Sequence, residues 1–282
     1  MSGSLSLITT CKGRLHHLRK TLPLMVAQAS AECVVVDYGC PQGTADWVAA
    51  NFPQVRIVRI NDDPLFNQCR ARNLGAIAAE TSLFCFVDAD IMLAPEFALR
   101  IGRECAEKTF LRAWPVSMET WGTFACRRED FWRVGGYDEV YEGWGASPED
   151  LYLRLAAAGC SEKQFPGSLI SSIPHSDDRR TAHYANKDRW WQHRINSLYL
   201  IAKLDLMKLA GTELPLEQRT ALYARANQAI DAARSAAQNQ AVLEIDLEDK
   251  TTQTMNLIIR LDRKLSYSIR WPNPSEQSAP PE

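Results

Sequence analysis

Leu83-Phe84-Cys85-Phe86-Val87-Asp88-Ala89-Asp90 is the stretch that decides the fold. Its first five residues are apolar without interruption. A strand with one wet face alternates polar with apolar, so an unbroken run reads as a strand buried on both faces. Covering both faces takes helices, and that arrangement belongs to parallel sheets. Working outward, the same texture recurs. Residues 5–10 read as a strand ending at Cys11-Lys12-Gly13, residues 33–37 as one ending in Tyr38-Gly39-Cys40-Pro41, and residues 55–60 as a third. Residues 14–29, 44–51 and 67–80 read as the intervening helices. The pattern predicts an α/β fold with a Rossmann-like, mainly parallel sheet and flanking helices. Such sheets bind ligands at the carboxyl ends of their strands, which groups Thr9, Asp37 and Asp88 before any motif is considered.

The chain has 282 residues, with 32 Lys+Arg against 34 Asp+Glu and a net charge of −2. That balance argues against nucleic-acid binding through a broad basic face. With 46% hydrophobic residues the chain can bury a sizeable core, and its length suits one large domain or one domain with an appendage. No run approaches the ~20 apolar residues of a membrane span. Residues 1–10 lack the basic start and long apolar core of a signal peptide. The eight cysteines are scattered with no CxxC pair, and several lie inside apolar runs. They read as buried reduced thiols in a cytoplasmic protein.

Past the first half the texture changes. Trp114, Trp121, Trp132 and Trp144 lie among glycine turns at Gly135-Gly136 and Gly143-Trp144-Gly145. Tryptophan faces beside glycine hinges suit sugar rings, although for any single tryptophan a place in the core is the commoner role. Residues 169–173 read as a strand, 179–209 and 216–240 as helices, and 242–248 and parts of 256–271 alternate as strands do. The expected organisation is a first domain over 1–185, a helical extension over 186–240, a β-like appendage over 241–271 and a Pro/Ser-rich disordered tail over 272–282. The C-terminal region could brace the first domain or form an oligomer face.

Asp88-Ala89-Asp90 carries the clearest chemistry. Two carboxylates at a strand end can meet one hard divalent cation, directly or through water, and Mg²⁺ or Mn²⁺ bound this way commonly bridges phosphates. With Thr9-Thr10, Asp37 and Arg70-Ala71-Arg72-Asn73-Leu74-Gly75 before it, this motif resembles the nucleotide-binding half of GT-A glycosyltransferases of the family 2 type. Gly135-Gly136-Tyr137-Asp138-Glu139 and Gly143-Trp144-Gly145, followed by acids, resemble the acceptor segment shared with galactosyl- and N-acetylgalactosaminyltransferases. The resemblance covers roughly residues 4–185.

The resemblance implies roles. Asp37 would accept from a uridine base, with Thr9 and Thr10 lining the same pocket. Arg70 would lie near the nucleotide or its phosphates. Asp90 would ligate Mn²⁺ or Mg²⁺, with Asp88 near the ribose or the metal and Ala89 on the nucleotide side. His175 would complete the metal site. Arg179 and Tyr184 belong to a segment that closes over the diphosphate, and Trp144 and Gly145 would hold the acceptor. Each has a structural alternative. Asp37 suits a helix cap or turn, and at least one of Arg70 and Arg72 suits a solvated helix face.

The acceptor segment departs from the family pattern: an ungapped match places Ser147-Pro148 where an acidic pair belongs and Asp150 at a later acidic position, whereas a turn two residues longer makes Glu149-Asp150 itself the pair. Glu149 and Asp150 are the nearby acids, and an inverting transferase needs a carboxylate to take the acceptor's proton. Both also suit a helix start behind Pro148. The implied activity is metal-dependent transfer of a hexose or N-acetylhexosamine from a UDP-sugar to a glycan acceptor, as in surface glycan synthesis. The implied enzyme has no transmembrane segment, which leaves peripheral contact with the inner face of a membrane open. Two other readings stand beside it. A non-catalytic sugar-nucleotide or glycan-binding protein takes its support from Ser147-Pro148. A nucleotidyltransferase is only faintly echoed by the turn after the first strand.

Overall fold

The structure is a computed structural model and describes residues 5–61, 63–254 and 257–272. It divides after Arg189 into two compact units. The first contains, in order, β1 (Leu5–Cys11), α1 (Leu15–Val26), β2 (Ala31–Asp37), α2 (Thr44–Asn51), β3 (Arg56–Arg59), α3 (Gln68–Ala78), β4 (Leu83–Phe86), β5 (Ile91–Leu93), α4 (Phe97–Glu104), β6 (Thr109–Trp114), β7 (Phe124–Arg127), α5 (Arg128–Arg133), α6 (Ser147–Ala157), β8 (Ser161–Pro166), β9 (Ile170–Ser172) and α7 (Asp177–Thr181).

Seven strands form the main sheet in the order β3-β2-β1-β4-β7-β6-β8. β3, β2, β1 and β4 run parallel, β7 is antiparallel to both of its neighbours, and β6 and β8 are parallel. The unbroken apolar runs are buried on both faces. Leu5, Leu7, Val35, Leu83 and Cys85 pack with Leu18, Leu22, Phe97 and Ile101 in one cluster. On the other face Phe84 and Phe86 meet Phe131, 5.8 and 5.1 Å between ring centroids. A separate pair, β5 with β9, is antiparallel and places Ile91 opposite Ser172. All eight cysteines are free and buried.

α3 lies tightly on the sheet. A Cβ at Gly75 would stand 2.5 Å from Ile8 Cγ2 and 3.0 Å from Val36 Cγ2. The helix approaches β1 and β2 this closely only because that side chain is missing.

Two features differ from the sequence reading. The helix expected over 179–209 is broken: α7 stops at Thr181 and α8 (Arg189–Ala210) begins beyond a turn region. Lys187 Nζ donates to the carbonyls of Ala182 and Tyr184 at 2.8 and 2.7 Å, so the chain ends one helix there before starting the next. The four middle tryptophans are not core residues either. Trp114 is 61% exposed and the other three are half-buried.

The second unit holds the rest of α8, then α9 (Leu216–Ser235), β10 (Gln240–Thr254) and β11 (Leu257–Arg270). The two strands form an antiparallel hairpin with a register shift between Leu247 and Lys250. Trp191 donates to Asp231 at 3.1 Å, and the Tyr267 hydroxyl donates to Asp205 at 2.8 Å. Helices and hairpin therefore pack on one another. Of the tail read as disordered, residues 273–282 lie outside the described residues. No helix among the described residues is long and apolar enough to cross a membrane.

The close approach at Gly75 generates a stability test. Alanine normally favours a helix over glycine by about 1 kcal/mol, but an overpacked methyl costs about 1–3 kcal/mol. Gly75→Ala is expected to lower the denaturation midpoint, and a raised midpoint would show that α3 has room to spare.

Candidate active site

The register of the parallel strands brings the predicted positions together. Thr9, Thr10 and Cys11 pair with Val35, Val36 and Asp37, and Ile8 pairs with Phe86. The carboxyl ends of β1, β2 and β4 therefore open on one rim. Asp90 lies there, 8% exposed. The β5–β9 ladder brings His175 to it: the Ile173 N–H donates to the Asp90 carbonyl at 2.8 Å, and His175 Nδ1 stands 3.2 Å from Asp90 Oδ2.

His17, which the sequence reading did not single out, joins them from α1. Thr21, one turn along the same helix, donates its hydroxyl to the Ala89 carbonyl at 2.8 Å. Residues four apart share a helix face, so this contact aims His17 at the same loop. His17, Asp90 and His175 each offer a ligand atom, and these atoms all lie within 4.8 Å of one another. Ligand atoms bound about 2.1 Å from one ion fall within such a spacing. Burial, then the cations nearby, pushes the His17 imidazole down to about 3, so it is neutral and can offer a lone pair. Burial and the neighbouring Asp88 charge raise the Asp90 carboxyl, while Arg14 opposes them. Arg14 Nη1 stands 4.0 Å from Asp90 Oδ2. The donor set fits a divalent cation.

Asp88 points elsewhere. Its Oδ1 accepts from Arg72 Nη2 at 2.7 Å and from Gln68 at 3.2 Å. Arg72 also donates to the Tyr137 hydroxyl at 3.2 Å and is 3% exposed. The solvated-face alternative therefore fails for Arg72. Arg70 is half-buried in a corner, 3.2 Å from Asp63 and 3.4 Å from the Tyr38 hydroxyl.

Asp37 caps the turn after β2, accepting from the Cys40 and Ala45 N–H groups, each at 2.7 Å. Thr9 Oγ1 is buried with no hydrogen-bond partner among the described residues, and Thr10 is also buried. The segment carrying Arg179 and Tyr184 lies across the β1–α1 turn. Arg14 donates to the Arg179 carbonyl at 3.2 Å, Phe66 donates to the His183 carbonyl at 2.9 Å, and Tyr184 stacks on Phe66 at 5.7 Å. The Arg179 side chain is exposed, whereas Tyr184 is buried.

The acceptor-type segment is fastened to α3. Asn73 exchanges two hydrogen bonds of 2.9 Å with the Tyr137 backbone and gives a third to Glu139. Gly136 has φ +69°. A Cβ there would stand 2.8 Å from Asn73 Oδ1, so this turn requires glycine. The two acids of α6 separate by environment. Asp150 is fully buried and its Oδ2 accepts from Arg154 at 2.6 and 2.9 Å. Arg154 also donates to the Gly136 carbonyl at 2.8 Å. Glu149 is half-buried. Its Oε2 has no hydrogen-bond partner among the described residues. Burial raises its carboxyl above the usual glutamate range, against the pull of Arg112 and Trp121. Arg112 stacks between Trp121 and Tyr152, 4.1 and 4.5 Å from their ring centroids. The next residue, Gly122, lies against Asp88 and Arg72, so the Glu149 wall and the Asp-x-Asp loop adjoin. Trp144 is half-buried with Arg189 over its ring at 5.2 Å, and Gly145 follows with φ +97°. Ala146 has φ +63°, a left-handed conformation that glycine adopts more readily.

The mostly parallel seven-stranded sheet and its flanking helices are those of the GT-A glycosyltransferase fold. Comparison with known proteins narrows this further. Residues 105–177 match the family model for the N-terminal domain of galactosyltransferase. The chain is 26% identical over 139 residues to β-1,4-galactosyltransferase 1 of Bos taurus, covering 45% of this chain. It spans about a third of that relative, 34% of its length. Among solved structures it is similar to a mannosyltransferase of Pyrobaculum calidifontis in complex with GDP-Man and Mn²⁺. That match has a TM-score of 0.54 and 16% identity, covering 84% of this chain and 75% of the other. It is also similar to S. aureus TarS in complex with UDP-GlcNAc, with a TM-score of 0.57 and 12% identity, covering 82% and 73%.

The two acids of α6 should separate in a stability measurement. Asp150→Ala strands a buried arginine and is expected to cost about 3–5 kcal/mol. Glu149→Gln is expected to stay within about 1 kcal/mol of wild type. Equal losses in denaturant melts would overturn this division.

Proposed function

We propose that this chain transfers a hexose or N-acetylhexosamine from a UDP-sugar to a carbohydrate acceptor, with a divalent metal at Asp90 and His175. The observation that carries the reading is the convergence of a buried carboxylate and imidazoles at the carboxyl ends of the strands of a GT-A sheet. The galactosyltransferase-type match over 105–177 supports the choice of chemistry. Thr9, Thr10 and Asp37 line the uridine side, Arg70 stands near the nucleotide, and Asp88 and Ala89 lie toward the ribose. A metal ion at Asp90 would supply charge stabilisation to the departing diphosphate. Arg14 stands beside that position, and Arg179 and Tyr184 lie in the segment packed over the turn that carries Arg14. These groups hold the diphosphate and exclude water from it.

Glu149 is the proposed general base. As the acceptor oxygen bonds to the anomeric carbon and the bond to UDP breaks, its carboxylate takes the hydroxyl proton. A base works best when its proton affinity approaches the operating pH, and burial moves Glu149 in that direction. Trp121, Trp144 and Gly145 form the acceptor side, where aromatic rings suit the apolar face of a sugar. On this reading Ser147-Pro148 costs the enzyme nothing essential. A sugar-nucleotide binder with a lost base remains the second reading, favoured by that dipeptide alone.

Release of UDP from a panel of UDP-sugars, with Mn²⁺, Mg²⁺ or EDTA, tests the reading. Metal-dependent release from one sugar is expected, and loss of metal-dependent UDP binding is expected in Asp90→Ala. Glu149→Gln should keep UDP affinity and lose transfer by about 100-fold or more. A base must be deprotonated to act, so transfer should rise with pH through a midpoint above the ordinary glutamate value of about 4.3. UDP binding without turnover toward any acceptor would favour the binder, and absence of UDP binding would end both readings.

A further inference from the structure

We infer that His17 is a third protein ligand of the metal, so that the site is built from two imidazoles and one carboxylate. The inference rests on the proposed reading of Asp90 and His175 and adds a residue from a different element, the first helix. Three observations carry it. The ligand atoms of His17, Asp90 and His175 all lie within 4.8 Å of one another. The His17 and His175 rings lie side by side, tilted by 53° with centroids 5.2 Å apart, and His17 is 3% exposed. The Thr21 hydroxyl holds the helix face that carries His17 against the Ala89 carbonyl at 2.8 Å. His17 therefore reaches Asp90 by construction of the fold.

The donor set predicts the cation. Mg²⁺ favours oxygen ligands and gives up its waters reluctantly. Two imidazole nitrogens favour Mn²⁺, Co²⁺ or Zn²⁺ over it. Three protein ligands would leave room for diphosphate oxygens on the ion, which is compatible with a nucleotide-sugar. Arg14 stands 3.5 Å from His17 Nδ1 and 4.0 Å from Asp90 Oδ2. Its guanidinium is thus one cation that faces the cluster.

The test uses the full chain with Mn²⁺ alone as probe, so no donor or acceptor is involved. Calorimetric titration gives the affinity, and pulsed electron paramagnetic resonance counts the imidazole nitrogens bound to Mn²⁺. Wild type should show two coordinated imidazoles and bind Mn²⁺ well ahead of Mg²⁺. His17→Gln should show one, with Mn²⁺ affinity weaker by about 10- to 100-fold and a much smaller change for Mg²⁺. Unchanged affinity with two imidazoles in His17→Gln overturns the inference. Should that variant fail to fold, the wild-type count decides: one imidazole overturns the inference and two uphold it. Asp90→Ala separates this from the underlying reading. Loss of Mn²⁺ binding in Asp90→Ala but not in His17→Gln removes His17 alone. No Mn²⁺ binding by wild type, or no effect of Asp90→Ala, removes the metal site itself.

Discussion

The ion pair between the buried Arg72 and the half-buried Asp88 is the constraint around which the site is arranged. Asp88 and Asp90 are two like charges at one strand end, and Asp90 is buried. Such a pair needs compensation. Arg72 supplies it for Asp88 alone, at 2.7 Å, and in doing so turns that carboxylate toward α3. Asp90 is left to face His17, His175 and Arg14. The two acids of the motif are thereby given separate surroundings by one arginine. Breaking such a pair by removing one partner leaves a charge buried and costs about 3–5 kcal/mol.

The same helix joins the two halves of the first unit. Within one turn of α3, Arg72 holds Asp88, Asn73 holds the Tyr137 backbone, and Gly75 lets the helix settle on Ile8 and Val36. Successive helical residues point about 100° apart, so one short run can address three different partners. The strand-end rim and the glycine turn of the 105–177 segment are therefore registered against one rigid element instead of against each other. Rigid support of this kind is what a two-substrate site requires, since an error of about 1 Å between reacting groups can cost 100-fold in rate.

Much of this was legible in the sequence, for identifiable reasons. The parallel half declares itself because strands buried on both faces leave unbroken apolar runs, and the helices between them carry matching stripes. Asp90 and His175 stand out because each follows such a run. The rest was hidden where the deciding partner is remote in the chain. Nothing in the doublet His16-His17 places either imidazole beside Asp90 until Thr21 is seen on the Ala89 carbonyl. The break between α7 and α8 depends on Lys187 and the carbonyls it gathers. The order β4-β7-β6-β8 could not be read locally, because β7 runs against both neighbours and no local pattern records that. The tryptophans were ambiguous in kind, since a large aromatic suits a core as well as a wall. Only their exposure distinguishes the two.

Glu149 and Asp150 show why composition at a motif is a weaker guide than commitment of its members. Both are carboxylates in the first turn of α6, and both satisfy the helix dipole equally. One turn later Arg154 selects between them, because only Asp150 lies on its face of the helix. Arg154 is in turn bound to the Gly136 carbonyl, so Asp150 is occupied in holding the glycine turn. Glu149 has no comparable tie and has the burial that strengthens a base. Asp150 is fully buried and held by Arg154, so it is not open to an acceptor hydroxyl. On the proposed reading, the departure at Ser147-Pro148 then moves the functional acid along α6 without abolishing it. The fold tolerates this because the Asp150–Arg154 pair keeps the helix and the glycine turn in place whichever neighbouring residue meets the acceptor.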